Sequence, residues 1–495
     1  MQQLLYKSIK AILYFTLAAV FCTAVFLRFR LPALVFIDSD IDGYLGPAMN
    51  FLHGAKFLPL NARGLYYPLF ALLCIGPTGS LNTVAVVQHC MAIAGLVFIA
   101  YTLFKLFGKT HPVLSLLLIT ICVAALALCP CFIKLEHTIR PEGLILFFTG
   151  LLTLLIYRFS CRRSGYVLTA LALTLVFLGF TIPKFAPGSA LVIAWAFFLY
   201  LKAGDTSAQQ RKKLVMVNLA LLMLLFLVQR GRNHADVLSR YFVGRNFFYV
   251  NAKIIKACAG AGIYNETQTA AINDLNSRIE PSPDFSLVGF DFDSHQFGAT
   301  SKMIEGKYGW DIYNSILRKS LLKRPWPFIT KAVKQTLTYY FSFAINKRVP
   351  VAEVYDNNLE YQESYRLATG LGYLSNNTIN QYRCYASSVI VTMRLNSPLK
   401  TYTDRFIYKP LFLVTPFIFI ISLGFAIMLL LQKGWNTLFI LLLIQSSTVF
   451  TVGFIHSFDI NRYGHTLFPV FIIICIIGFY YFLVRAISFI NNFRL

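Results

Sequence analysis

Three carboxylates lie close together in the loop that follows the first long apolar segment. Asp38, Asp40 and Asp42 fall within five residues. Ionisable groups beside a membrane are costly, so such a cluster marks a site more often than a solvated surface. The helical spacing after Gly43 places these acids at a helix N-terminus, where a carboxylate stays ionised. An ionised carboxylate suits a general base that takes a proton from a hydroxyl, whereas capping explains only one acid well.

A second acidic loop, residues 136–142, precedes another apolar segment. Pro141 is expected in the first turn of the following helix, which places Glu142 at the start of that helix. Lys184 stands alone between two apolar runs. It either binds an anion from elsewhere in the fold, such as a phosphate, or extends its ammonium group to the membrane interface.

The last polar loop, residues 456–465, runs directly into the final apolar segment. Arg462 can clamp a phosphate with two hydrogen bonds, which a lysine cannot do. Asp459 can instead hold Arg462 in a structural pair. His456 and His465 leave a divalent-cation site open, although histidines at span ends are more often hydrogen-bonded caps.

The elements that must position these residues are membrane helices. The chain has 495 residues, of which 57% are hydrophobic and 13% are charged, and its mean hydropathy is +0.61. Its apolar runs are about 17–22 residues long, enough to cross a hydrocarbon layer of about 30 Å. We predict an all-α polytopic membrane protein with about ten transmembrane helices, at 11–27, 83–104, 112–131, 143–157, 166–182, 186–201, 214–229, 410–431, 436–454 and 466–487.

Basic residues orient these spans. With the N-terminus inside, every short basic loop falls on the cytoplasmic side, as the positive-inside rule requires. Both termini are then cytoplasmic, and the first span, which lacks a small-residue cleavage site, is expected to be a retained anchor. The basic residues concerned are Lys7, Lys10, Lys105, Lys109, Arg158, Arg162, Arg163, Lys202, Arg211, Lys212, Lys213, Lys433, Arg485 and Arg494.

The predicted spans divide the chain into three parts. Residues 1–229 form an N-terminal membrane module whose first outer loop, 28–82, carries the acids. Residues 230–409 form an outer soluble domain of mixed or mainly helical structure, and residues 410–495 form a C-terminal membrane module. Within the middle part, residues 316–343 interleave basic, apolar and Trp residues, which suits either a helix in the headgroup layer or a core helix of the domain.

The net charge of +24 combines cytoplasmic anchoring charge with a basic excess in residues 230–409. That excess would attract a phosphate-bearing lipid or an anionic glycan, although ordinary solvation explains most individual lysines. We expect membrane lipids as partners, and no nucleic acid. The sequence has no Walker A loop, Rossmann fingerprint or zinc-ligand spacing, so a glycosyl or phosphoryl donor is not bound by a nucleotide fold.

Three short motifs occur in order on the predicted outer side. They are Asp40-x-x-x-Tyr44-x-x-x-Ala48, Arg140-Pro141-Glu142 and Arg462-Tyr463. With their order and sidedness, the chain resembles the GT-C class of glycosyltransferases, polytopic enzymes that use polyprenyl-phosphate sugars. This class includes the protein O-mannosyltransferases and the lipid A aminoarabinose transferases. The resemblance covers the N-terminal half of the membrane domain and the final helix, and residues 230–409 match nothing in it.

The resemblance implies a role for each candidate residue. Asp40 is the catalytic base, and Glu142 is a second acid that orients the acceptor or assists a cation. Lys184 and Arg462 hold the donor phosphate. Relatives often carry a basic residue directly before the Pro-Leu that ends the first loop; this chain has Tyr66-Tyr67 there, and Arg63 is the candidate substitute. The supporting or substrate-binding residues are Asp38, Asp42, Tyr44, His137, Arg140, Asp459 and Tyr463.

The implied reaction moves a sugar from a polyprenyl phosphate to a hydroxyl of a glycan or lipid-linked acceptor, with inversion. The expected location is a bacterial inner membrane with the site facing the periplasm, and no cofactor is implied besides the divalent cation left open above.

Two other functional classes stay open. A transporter or flippase for lipid-linked glycans would place polar groups near the bilayer midplane. An O-antigen polymerase or ligase would depend on outer Arg and His residues and would tolerate loss of the first-loop acids.

Overall fold

The computed structural model describes most of the chain, and every regular element in the described part is a helix. The described residues are 2–29, 41–52, 54–57, 64–108, 111–203, 207–233, 237–278, 295–345, 409–433, 436–455 and 460–492.

Helices follow one another along the whole described chain. They are α1 (Gln2–Phe29), α2 (Ile41–Tyr44), α3 (Gly46–Leu52), α4 (Tyr66–Ile75), α5 (Asn82–Phe107), α6 (Pro112–Ala127), α7 (Pro130–His137), α8 (Ile145–Cys161), α9 (Gly165–Thr181), α10 (Ala186–Leu201), α11 (Ala208–Asn233), α12 (Val237–Val250), α13 (Ala252–Ala259), α14 (Glu266–Asn276), α15 (His295–Tyr308), α16 (Asp311–Lys323), α17 (Trp326–Ile345), α18 (Lys409–Lys433), α19 (Thr437–Ile455) and α20 (Ile460–Asn492). Short 3₁₀ helices, Pro141–Leu144 and Pro183–Phe185, lead into α8 and α10.

Seven helices of the described chain are long and apolar enough to cross a membrane. This confirms the prediction of a helical integral membrane protein. The seven are Gln3–Phe29, Asn82–Phe107, Pro141–Cys161, Pro183–Leu201, Val414–Gln432, Thr437–Ile455 and Thr466–Ile490.

The other three predicted spans also coincide with helices. α6 and α9 are apolar but have only 16 and 17 residues, and α11 has 26 residues with a basic start. α6 ends at Ala127, earlier than the predicted span 112–131, because Pro130 opens a new helix and disfavours helical geometry in the residue before it. A total of ten spans stays a prediction.

Close backbone contact joins α5 to α8. A Cβ atom on Gly95 would overlap the Leu146 carbonyl, and one on Gly150 would overlap the Gly95 carbonyl. Small residues let membrane helices approach this closely, which increases their van der Waals contact. Since Gln88, in the second turn of α5, also lies against Gly143, just before α8, the two helices run parallel and begin at the same end of the bundle.

Helix directions bring the polar loops to one end of the bundle. α1 and α6 run parallel and finish together, since Arg28 in the last turn of α1 donates from Nη1 to the Ala127 carbonyl at 2.9 Å. Gln88, in the second turn of α5, meets Gly143 just before α8. We call this end, which carries Arg28 and Glu142, the site end.

α10 and α19 run antiparallel. Gly188 lies against Ser447, and Trp195 lies 5.8 Å from Phe439 between ring centroids. Lys184, which precedes α10, therefore lies near the end of α19, at the site end.

Basic residues lie at the opposite end of the bundle. There the Tyr480 hydroxyl of α20 donates to the Phe107 carbonyl at the end of α5. Lys105 lies in the last turn of α5, Arg158 in the last turn of α8, and Lys202 caps α10. Among the described residues, Glu136 and Glu142 are thus separated from these basic residues by the length of the membrane helices.

Helices between α11 and α18 have a hydrophobic core of their own, which includes Phe248, Tyr313 and Ile316. We call α12–α17 the inserted domain. It joins the membrane bundle at the site end, where Asn251 donates from Nδ2 to the Phe454 carbonyl of α19 at 3.3 Å. Residues 279–294 and 346–408 of the predicted domain lie outside the described residues.

α17 links the inserted domain to the C-terminal membrane helices. Its first turn buries Phe328 against Phe247. Further along, the Tyr340 ring stacks on Phe419 of α18 at 4.1 Å, and its hydroxyl lies 2.9 Å from Ser446 Oγ of α19. The apolar face of α17 thus packs first against the core of the inserted domain and then against the membrane helices.

We expect Gly95→Ala to destabilise the protein by on the order of 1–3 kcal/mol, because the added methyl forces α5 away from α8. The measurement is thermal unfolding of the purified protein in detergent. Gly424→Ala in α18 is the matched control, since a Cβ there meets nothing within 4 Å. Equal stability of the two variants would contradict this close packing.

Candidate functional site

The structure describes about half of the predicted site residues with their side chains. Asp38, Asp40, Arg63 and Asp459 lie outside the described residues, and only the backbone is described for Asp42, Arg462 and Tyr463. Glu142, Lys184, Tyr44, His137 and Arg140 are described with their side chains, and all five lie at the site end.

A buried ion pair ties α1 to α7. The Arg28 guanidinium donates from Nε to Glu136 Oε2 at 2.8 Å and from Nη2 to Oε1 at 2.7 Å. Arg28 is fully buried and Glu136 is 1% exposed. A buried charge persists only when it is paired and hydrogen-bonded, and the two-pronged guanidinium matches a carboxylate in this way. The pair fixes the end of α1 on the short helix that leads into the second acidic loop.

His89 shares the same carboxylate. Its Nδ1 lies 2.6 Å from Glu136 Oε2. Because an ionised carboxylate can only accept, Nδ1 carries the proton and donates. His89 is fully buried, and its Nε2 has no hydrogen-bond partner within the described chain. The His137 ring packs edge-on against the His89 ring at 4.5 Å between centroids.

The electrostatic balance at Glu136 favours the ionised form. Burial alone would raise the pKa of this carboxyl, but the Arg28 charge and the contact with His89 outweigh burial and hold the pKa below its usual value. Glu136 therefore stays a carboxylate near neutral pH and orients both partners.

Gln88 holds the backbone of the acidic loop. Its Nε2 donates to the carbonyls of Glu136 at 2.7 Å and Thr138 at 3.1 Å. Its Oε1 accepts from the Tyr67 hydroxyl at 3.1 Å. Gly143 allows this approach, because a Cβ there would lie 2.5 Å from Gln88 Oε1.

Glu142 and Lys184 lie side by side. Lys184 Nζ is 3.9 Å from Glu142 Oε1, and both side chains are mostly buried. Glu142 belongs to the 3₁₀ turn that opens α8, and Lys184 to the one that opens α10. Glu142 Oε2 is buried and has no hydrogen-bond partner in the part of the chain described here. Glu142 is therefore an anion beside Lys184 that the protein itself supplies. The sequence pattern alone did not identify this pairing.

Three of the predicted supporting residues have described contacts at the site end. His137 ends α7 and is buried against His89. The backbone of Arg140 turns the loop, accepting from the Gly143 N–H at 3.0 Å. Tyr44 ends α2 and packs edge-on against Tyr67 at 5.5 Å.

Both described flanks of the acidic turn reach the same cluster. On one side Phe29, the last residue of α1, packs edge-on against His89 at 5.7 Å. On the other side α2, which contains Asp42, ends at Tyr44 beside Tyr67, whose hydroxyl donates to Gln88. The described residues directly before and after 30–40 therefore lie at the site end.

The predicted phosphate clamp belongs to the same end. Arg462 and Tyr463 lie in the first turn of α20. Phe468, farther along α20, stacks on Phe132 of α7 at 6.1 Å. Within the described residues, no group of three His, Cys, Asp or Glu side chains is placed to hold a metal ion.

Sequence reasoning missed the polar core of the site. Arg28 falls just beyond the predicted span 11–27, Glu136 opens the second acidic loop without a predicted role, and Gln88 and His89 fall within the predicted apolar span 83–104. The available signal was the adjacent pair Gln88-His89 inside an otherwise apolar helix, since intramembrane polar groups need partners.

Comparisons with known proteins leave the site to be interpreted from its own geometry. No family model, no curated protein and no solved structure matches this chain.

We expect Glu136→Gln to cost about 3–5 kcal/mol, because it leaves the Arg28 charge buried without a counter-charge. The double variant Arg28→Met with Glu136→Met should recover part of that loss, since it removes both charges. Thermal unfolding in detergent measures both effects.

The matched control is Asp274→Asn, which breaks the more exposed Lys307–Asp274 pair of 2.7 Å in the inserted domain. That pair should contribute only about 0–1 kcal/mol. Equal losses from the two single variants would show that the Arg28–Glu136 pair is not a structural anchor.

Proposed function

We propose that this chain is an integral-membrane glycosyltransferase that uses a polyprenyl-phosphate sugar. The sugar passes to a hydroxyl of a glycan or lipid-linked acceptor at the outer face of the membrane. The observation that carries this proposal is the Lys184–Glu142 pair, a mostly buried cation and acid side by side at the site end. A transferase of this kind needs a cation for the lipid phosphate and an acid for the acceptor.

Asp40 is the proposed catalytic base. The acceptor O–H gives its proton to the Asp40 carboxylate, and the acceptor oxygen forms a bond to the anomeric carbon. The bond from that carbon to the phosphate oxygen breaks on the opposite face, and the phosphate leaves with the electron pair. Inversion follows from a single displacement, by analogy with inverting glycosidases.

Lys184 and Glu142 take complementary roles in this reaction. The Lys184 ammonium neutralises the phosphate oxygen as the bond to the sugar breaks. Glu142 Oε2, buried and without a partner among the described residues, accepts a hydrogen bond from the acceptor or the sugar. Arg462 and Arg63 supply further positive charge to the phosphate.

The proposed orientation places the site end outside a bacterial inner membrane and both chain termini in the cytoplasm. Lys105, Arg158 and Lys202 at the other end support it, because short basic loops are retained on the cytoplasmic side. The proposed family is the GT-C class, and the proposed fold is the fold of that class.

The depth of the polar cluster favours a transferase over a transporter. Gln88 and His89 are six and seven residues into α5, about 10 Å from its first residue. Both side chains hydrogen-bond to Glu136 on α7, and within the described chain neither bonds to a broken helix at the bundle centre. Transporters place their polar groups near the midplane.

We expect Asp40→Asn to lower the rate of sugar transfer from a labelled polyprenyl-phosphate donor by about 100-fold or more, with donor binding intact. The amide keeps the size of the side chain but cannot accept the proton. Asp274→Asn, in the inserted domain, is the control. Full transfer by the Asp40→Asn protein would remove Asp40 as the base.

We expect Lys184→Ala to weaken donor binding about tenfold or more, because it removes the charge nearest the proposed phosphate position. Acceptor affinity should change less. Binding of a labelled polyprenyl-phosphate sugar measures the donor effect, and Lys302→Ala, at an exposed position of α15, is the matched control. An unchanged donor affinity would place the phosphate elsewhere.

A further inference from the structure

A second buried cation lies at the junction of the inserted domain and the membrane helices. Lys331 of α17 is 6% exposed. Its Nζ donates to Asn251 Oδ1 at 2.8 Å. No carboxylate of the described chain pairs with it. An ammonium group has three N–H donors, but the Lys331 ammonium makes only this one hydrogen bond within the described chain, to a neutral amide.

An unsatisfied acceptor lies one helical turn from Lys331. Gln335 is also 6% exposed, and its Oε1 is buried without a hydrogen-bond partner among the described residues. Residues four apart share a helix face, so the cation and the acceptor point the same way. A Cβ on Gly453 of α19 would lie 3.1 Å from Gln335 Oε1, which places this face against the end of α19. Buried polar groups are normally satisfied, and such a pair of exceptions requires an explanation.

Lys331 and Gln335 lie beside the end of a membrane helix, at the level expected for lipid headgroups. Asn251, the partner of Lys331, also donates to the carbonyl of Phe454, one residue before α19 ends. The exposed Leu322 and Trp326 lie just before Lys331, and Trp326 is 72% exposed. Trp residues concentrate at the membrane interface, and phosphate groups are the anions found there.

We infer that Lys331 and Gln335 form a binding site for an anionic phospholipid whose phosphate diester carries a free hydroxyl, as in phosphatidylglycerol. A phosphate oxygen accepts from the Lys331 ammonium, and the headgroup hydroxyl donates to Gln335 Oε1. Asn251, the partner of Lys331, donates to the carbonyls of Phe247 and Phe454. The Phe247 ring packs on those of Phe454 and Phe328, so the surroundings are apolar, which strengthens a charge-assisted bond. The site does not depend on the proposed transferase activity.

The protonation of Lys331 agrees with this ligand. Burial lowers the pKa of the Lys331 ammonium to about 7. An opposite charge nearby favours the charged form, so a bound phosphate keeps this lysine protonated at neutral pH.

The test measures the thermal stability of the full-length protein in detergent with added phosphatidylglycerol, phosphatidylcholine or inorganic phosphate. We expect phosphatidylglycerol to raise the melting temperature of the native protein, and the other two to raise it less. Lys331→Met should remove this effect or shift its midpoint to at least tenfold higher lipid. Lys334→Met, at an exposed position of the same helix, should respond like the native protein.

The same titration distinguishes the alternatives. An unchanged response of Lys331→Met overturns the site. An equal response to phosphatidylcholine shows that the charge of the lipid is not recognised, and an equal response to inorganic phosphate shows that no lipid is required; either result overturns the proposal. If Lys331→Met does not fold, Gln335→Leu is used, and it should reduce the effect of phosphatidylglycerol. A full effect in that variant contradicts the role of the hydroxyl.

Discussion

The buried pair of Arg28 and Glu136 is the constraint on which the arrangement of the site end depends. Neither charge can be buried alone, so the last turn of α1 and the short helix α7 must come together. The same carboxylate orients His89, and the backbone beside it is held by Gln88. One ion pair therefore positions α1, α5 and α7, and the acidic loop that follows α7 leaves this contact in a fixed direction.

The consequences reach both acidic segments of the chain. The loop from α7 ends in the 3₁₀ turn that carries Glu142, and the next pair of helices brings Lys184 to its side. Phe29, which precedes the segment with Asp38 and Asp40, packs on His89, and α2, which follows that segment, packs on Tyr67 through Tyr44. Ionic, hydrogen-bonding and ring contacts thus connect segments more than 100 residues apart, as the separation of Arg28 and Glu136 illustrates. A lipid phosphate and an acceptor hydroxyl need such a meeting of opposite charges.

Sequence patterns predicted the helices well because apolar length is a local property: each predicted span coincides with a helix, although the pattern did not show that Pro130 would end one helix and start another. They also drew attention to Glu142 and Lys184, since an isolated charge between apolar runs is conspicuous. The Arg28–Glu136–His89 cluster was missed because its members come from three helices, and their meeting depends on helix packing that no local pattern encodes. For the same reason the pattern of residues 316–343 predicts a helix in the headgroup layer or in the core of the domain, whereas in the structure α17 joins two cores.

The most direct measurement is a cryo-EM map of the full-length protein in lipid nanodiscs with a bound polyprenyl phosphate. If remote charged loops form one site for a lipid phosphate, the phosphate density will lie within hydrogen-bonding distance of Lys184 Nζ, with the prenyl tail leaving between helices at the site end. Phosphate density at the basic end of the bundle, or on a surface remote from both Glu142 and Lys184, would contradict that arrangement.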